Sequence, residues 1–212
     1  MKGMMFDNIH SFRDLNLVLS SVMIPPATVK TNFVNNPCGD GSWDLTEALG
    51  QVNYTDRTCT FVFSVLPTDD FEVKKKEISN LLNGRRFKIV LDKDPGYYWN
   101  GRISVNSYET QKKKMKITLG AVVAPYKLKT DVTQVSVQLT STPKEITLLN
   151  SRKTVSPEII CTESAKLVVD GNEFNISQGT HKILDFQLHE GVNTVTISGT
   201  GKVTFVYQEG DL

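Results

Sequence analysis

The stretch LLNGRRFKIVLDKDPGYYWNGR, residues 81–102, decides how the rest of the chain is read. Asn83-Gly84 is a helix stop, because glycine enters the left-handed conformation that ends a helix without steric cost. Residues 86–91 then read as a strand, and the D-K-D-P-G run from Asp92 to Gly96 carries the turn residues that reverse it. Residues 101–108 read as a further strand, and the aromatic run Tyr97, Tyr98 and Trp99 before it is read as extended. Successive strand side chains alternate faces, so the three rings cannot form one flat stacking platform.

Working outward, Asp69-Asp70-Phe71-Glu72 forms a helix start with acidic residues at the positive end of the dipole. Phe71, Ile78, Leu81 and Leu82 make an apolar stripe and Lys74, Lys75 and Lys76 a solvated face, which predicts one amphipathic helix over about 70–83. Most of the rest of the chain reads as short strands, with the first fifty residues less regular. Residues 57–65 (RTCTFVFSV) alternate with period 2, and 115–122 do the same through Met115, Ile117, Leu119 and Ala121. Segments 16–23 and 28–34 are weaker strand candidates. After Pro125-Tyr126 the composition turns to Val, Thr, Ser and Gly without helical periodicity. Strands are expected at 135–139, 145–149, 158–161, 166–170, 173–176, 181–186, 193–198 and 202–208, with a type I′ hairpin at Asp170-Gly171. The expected fold is therefore all-β with one amphipathic helix, as two domains: residues 1–128, and an antiparallel β-sandwich over 129–212.

Composition fits a folded chain. At 212 residues, with 39% hydrophobic and 22% charged residues, roughly 70% of the extended-chain surface can be buried. The net charge of +1 hides an asymmetry: residues 1–128 hold 17 Lys+Arg and 13 Asp+Glu, net +4, whereas 129–212 hold 7 and 10, net −3. Neither value predicts nucleic-acid contact. No apolar run nears the roughly 18 residues of a membrane helix, so no membrane contact is expected. The start MKGMMFD meets charge before any apolar region, which argues against a secretory signal and for cytoplasmic synthesis. Cys38, Cys59 and Cys161 are odd in number and widely spaced, so neither a disulfide framework nor a zinc site is expected. In that compartment the triplets Asn53-Tyr54-Thr55 and Asn175-Ile176-Ser177 stay unmodified.

A catalytic set does not emerge. His10, His181 and His189 lack metal-ligand spacing, and nothing joins Cys38 to His10. Asp40-Gly41-Ser42-Trp43-Asp44 starts like a calcium loop, but Leu45 and Gln51 stand where a glycine and a glutamate are required. Asp92 and Asp94 are turn residues before they are a glycosidase carboxylate pair. Lys112, Lys113 and Lys114 read as an exposed turn between strands. Neither a metal nor a cofactor is expected, and the chain is read as a non-enzyme.

Four stretches carry a family resemblance: Pro37-Cys38-Gly39-Asp40-Gly41-Ser42-Trp43-Asp44; Tyr54-Thr55-Asp56-Arg57; Gly84, Arg85 and Arg86 through Asp92, Tyr97, Tyr98, Gly101 and Arg102; and Pro125-Tyr126-Lys127. Residues 191–197 and 207–212 extend the match less sharply. On these the chain resembles the distal tail protein (Dit) family of long non-contractile-tailed bacteriophages and prophages. The resemblance implies an amino-terminal β domain that joins five more copies in a hexameric ring around the tail channel. It also implies a galectin-like or carbohydrate-module-like sandwich projecting outward. Implied partners are the tail-tube protein, the tape-measure protein and tail-tip or receptor-binding proteins. The implied locations are the host cytoplasm during assembly and then the virion tail tip. Asp40, Gly41 and Arg57 are expected to set turn and strand geometry in the ring domain. The alternative function is a lectin-like module that recognises a host saccharide, motivated by the sandwich and the aromatic run. No large inserted carbohydrate module is present.

Overall fold

A computed structural model describes residues 3–48, 50–66, 70–111, 114–140 and 142–212. The chain divides into two compact units, Met1–Lys127 and Leu128–Leu212, each with its own apolar core. It is β-rich throughout and antiparallel in its described strand pairs.

In chain order the first unit comprises β1 (Met4–Phe6), β2 (Ile9–His10), β3 (Leu17–Met23), β4 (Phe33–Asn35), β5 (Ser42–Asp44), β6 (Arg57–Val65), α1 (Phe71–Leu82), β7 (Arg86–Leu91), β8 (Asp94–Gln111) and β9 (Lys114–Val123). The main sheet runs β2-β1-β7-β8-β9-β6-β3, and β4 and β5 form a separate two-stranded sheet. Alternation decides which face is buried: Cys59, Phe61, Phe63 and Val65 of β6 enter the core, as do Phe87, Ile89 and Leu91 of β7. The sheet curls around that core. β1 and β6 are four steps apart, about 19 Å in a flat sheet at the usual ~4.8 Å spacing, yet Phe6 and Phe63 bring their ring centroids within 6.5 Å. Helix α1 adds Ile78 and Leu82 to the same core. Its N-cap is Asp70, whose carboxylate accepts from the backbone of Glu72 and Val73, and Gly84 at φ +76° follows the last turn.

Strand β10 (Lys127–Lys129) spans the boundary, and the second unit continues with β11 (Thr133–Gln138), β12 (Lys144–Asn150), β13 (Glu158–Cys161), β14 (Ala165–Val169), β15 (Asn172–Ile176), β16 (Gly179–Lys182), β17 (Gly191–Gly199), β18 (Lys202–Tyr207) and β19 (Gly210–Asp211). Two four-stranded sheets, β11-β18-β13-β16 and β12-β17-β14-β15, contribute to one core. Phe186 at its centre stacks on Phe205 and meets Phe174 edge-on. Asp170 and Gly171 both have positive φ, +48° and +80°, as a type I′ turn requires.

Several boundaries differ from expectation. Segment 28–34 is not one strand: Val29 makes a single bridge to Tyr54, and β4 begins only at Phe33. The strand expected to reach Phe186 ends at Lys182, after which Phe186 is drawn into the core. The short strands β1 and β2 had no sequence signal. Asp69, Lys112 and Lys113 lie outside the described residues, so the expected helix start at Asp69 and the lysine turn fall partly there.

Candidate functional site

Strands β4 and β5 form a hairpin in which every residue is exposed, including Phe33 (58%) and Trp43 (56%). Neither face of this two-stranded sheet is buried, so its apolar side chains do nothing for the core. The connecting loop is built locally. Asn36 Oδ1 accepts from Cys38 N, Gly39 leaves room that a Cβ would take from the Asn36 side chain, and Gly41 sits at φ +79°. Pro37 lies in the same turn. Hydrogen bonds from Thr46, its side chain first, hold the Asp44 carboxyl below the usual range. Asp40 is exposed, and among the described residues its carboxylate accepts no hydrogen bond. The loop's geometry thus rests on Asn36 and the glycines.

At its root the hairpin is stitched to itself by Lys30 N to Asn53 O and Thr55 N to Thr28 O. It meets the sheet where Tyr54 packs edge-on against Tyr126, the residue after Pro125, with centroids 5.8 Å apart. Arg57 lies beneath this root, 7% exposed on the core face of β6. Its Nη1 donates to Pro25 O, while buried Nε and Nη2 have no partner. Burial lowers the Arg57 pKa and raises that of Cys59 two residues on.

The stretch that opened the reading has a different geometry from the expected five-residue turn. Asp92 and Lys93 alone make the reversal, and Asp94, Pro95 and Gly96 already belong to β8. Leu91 pairs with Asp94 but Ile89 pairs with Trp99, so two steps on β7 match five on β8. The surplus forms a bulge. It accommodates Pro95, which has no N–H to give to a ladder. Beyond the bulge Arg86 stands directly opposite Arg102 on the outer face, with Arg85 next in the chain. Arg102 also donates through Nη1 to Gly84 O at the end of α1. Gly101 is obligatory, since a Cβ there would lie 2.5 Å from Val123 Cγ1.

The two aspartates of this stretch are not a catalytic pair. Asp92 accepts from Gly3 N at 2.7 Å and from His10 Nε2 at 3.2 Å. His10 Nδ1 accepts from Phe12 N and Arg13 N, so Nε2 carries the ring proton toward Asp92, and the pair clamps the amino-terminal strands. Asp94 is bound instead to Lys127, whose ammonium sits 4.1 Å over the Tyr97 ring. Lys88 covers Tyr98 at 3.9 Å, and Trp99 is buried. All three rings of the aromatic run are thereby occupied. His181 Nε2 donates to Ser177 O, and among the described residues no three His, Cys, Asp or Glu side chains could hold a metal. Cys38 is exposed, while Cys59 and Cys161 are buried, and all three are free thiols. No described helix is long and apolar enough to cross a membrane.

The arrangement is that of a β-rich protein of two units, with an exposed apolar hairpin on the first and an arginine pair facing across β7 and β8. Its fold is that of a Dit-type protein: the crystal structure of SPP1 Dit (gp 19.1), described as a paradigm of the hub adsorption apparatus in phages infecting Gram-positive hosts, matches at a TM-score of 0.73. The match covers 100% of both chains at 15% sequence identity. No family model matches the chain, and no curated protein matches it by sequence.

Proposed function

We propose that this chain is a structural phage tail protein of the Dit type, a hub that joins the tail tube to the tip and host-adsorption apparatus. Unit one is the ring-forming part, six copies closing around the tail channel, and unit two is an outward sandwich of galectin-like type. The observation that carries this reading is the β4–β5 hairpin. Large apolar side chains that are solvated on a lone two-stranded sheet mark a surface completed by another molecule. The main sheet supports it with open edges at β2 and β3, because unpaired strand edges invite pairing with a further chain. The full-length likeness to a hub protein supports the hub reading.

In this reading Gly41, Gly84, Gly101 and Arg57 serve the geometry of unit one. Partners are further copies of the chain, the tail-tube and tape-measure proteins, and tail-tip or receptor-binding proteins. The chain assembles in the host cytoplasm and ends at the virion tail tip, with no catalytic step. The aromatic run gives the saccharide-binding alternative little support, since Trp99 is buried and Tyr97 and Tyr98 lie under lysines.

Native mass spectrometry with negative-stain imaging of the purified chain tests the proposal. A species of six protomers with a central hole is the expected result. A monomer at every concentration, in the presence and absence of the tail-tube protein, would overturn it.

A further inference from the structure

Arg86 and Arg102 occupy a pairing that a sheet ordinarily avoids. Like charges directly opposite one another on the same face are destabilising, yet the β8 bulge forces this register. Among the described residues neither guanidinium has a carboxylate within ion-pair distance. Together they line a cleft of about 470 Å³ with Asn83, Ser104 and Val122. The cleft offers more than charge. Asn83 uses its Oδ1 to accept from Val105 N, which leaves its amide N–H groups for a ligand, and Val122 is 50% exposed as an apolar floor. Asp56 is the one acid in the lining, so two cations outnumber one anion. The site fits a carboxylate-bearing segment with apolar side chains.

The chain itself carries such a segment. Residues 31–56 hold Asp40, Asp44, Glu47 and Asp56 and no Lys, Arg or His. The first three flank Phe33, Val34 and Trp43 of the exposed hairpin. We propose that the cleft between Arg86 and Arg102 receives the acidic β4–β5 hairpin of a second copy of this chain. The inference rests on the ring reading above and deepens it. Each copy presents one hairpin and one cleft, which are different surfaces, so the contact is heterologous and propagates head to tail until it closes, the geometry of a cyclic ring. Complementary charge also fixes which neighbour is accepted and in which register.

Charge exchange on the full-length protein tests it. Arg86→Glu with Arg102→Glu is expected to raise the monomer–ring midpoint concentration at least about tenfold, a change worth about 1.4 kcal/mol for each protomer added. Asp40→Arg, Asp44→Arg and Glu47→Arg on the hairpin should do the same, and combining all five substitutions should restore assembly. Circular-dichroism melting checks that each variant folds. Wild-type assembly should also weaken between about 50 and 500 mM salt, a readout that needs no substitution. A wild-type ring that the cleft variant leaves at its original midpoint overturns this inference alone. So does a cleft effect that the hairpin variant does not reproduce or that the combination does not rescue, since the cleft would then serve a different molecule. A wild type that never leaves the monomer removes the ring reading, and this inference with it.

Discussion

The two units solve the same problem, burial of a β-sheet face, in different ways. In unit two a pair of four-stranded sheets bury their inner faces against each other, and Phe186 and Phe205 sit at the centre with no exposure. Unit one has one long sheet that curls onto itself and a short helix. It still leaves over a two-stranded hairpin whose apolar side chains find nothing in the same unit to cover them. The paired sandwich closes one shared core, while Leu149, Leu184 and Val192 remain exposed. The curled sheet leaves a hairpin with Phe33 and Trp43 exposed, and the proposed assembly would cover it.

The comparison can be broken at its strongest point first. Phe205→Ala removes a fully buried ring from unit two and should cost about 3–5 kcal/mol. Because the units have separate cores, denaturant unfolding should lose stability in one transition while the other keeps its midpoint; movement of both together would show that the units unfold as one. The next test is electrostatic. Glu209 is 7% exposed and bonded to Lys129, Thr133 and Ser151. Burial pushes its carboxyl up, but those hydrogen bonds and the Lys129 charge outweigh burial and hold it below the ordinary value. A carboxyl lowered in the fold stabilises above the ordinary glutamate range, and that contribution is lost as the pH falls through the folded value. Glu209→Gln should therefore cost about 1–3 kcal/mol at neutral pH and flatten the acid limb of the stability profile, read by melting between pH 7 and 3. The smallest effect on folding sharpens the contrast most. Trp43→Ser on the hairpin should change stability by no more than about 0.5 kcal/mol, as exposed positions do, yet weaken assembly. A large loss of stability would mean that the hairpin belongs to the core after all.

Much of this architecture is legible from residue order because its signals are local. The period-2 run from Arg57 to Val65, the Asp70 cap, the Asn83-Gly84 stop and the Asp170-Gly171 turn each depend on a few adjacent residues, and each appears where expected. What could not be read depends on separation. His10 and Asp92 are 82 positions apart, and their contact follows only once β1 has paired with β7. β4 and β5 are three residues each, too short for alternation to show whether a face is buried. The Arg86–Arg102 pairing was hidden for a subtler reason. A simple hairpin continuing from the Leu91–Asp94 pair would set Arg86 opposite Trp99, and nothing in the residue types shows that β8 takes up three more residues first.

That bulge also separates chain length from side-chain facing. In a regular ladder one inserted or deleted residue sends every later side chain to the opposite face. Here a surplus segment sits between two fixed pairings, so adding or removing a residue at 95–97 changes the size of the irregularity while Gly101, Ile103 and the long ladder to β9 stay in place. Indels should therefore be tolerated at this point and rejected a few residues downstream. A change of length at this point would be absorbed beside the arginine cleft and would leave the Arg86–Arg102 pairing in register.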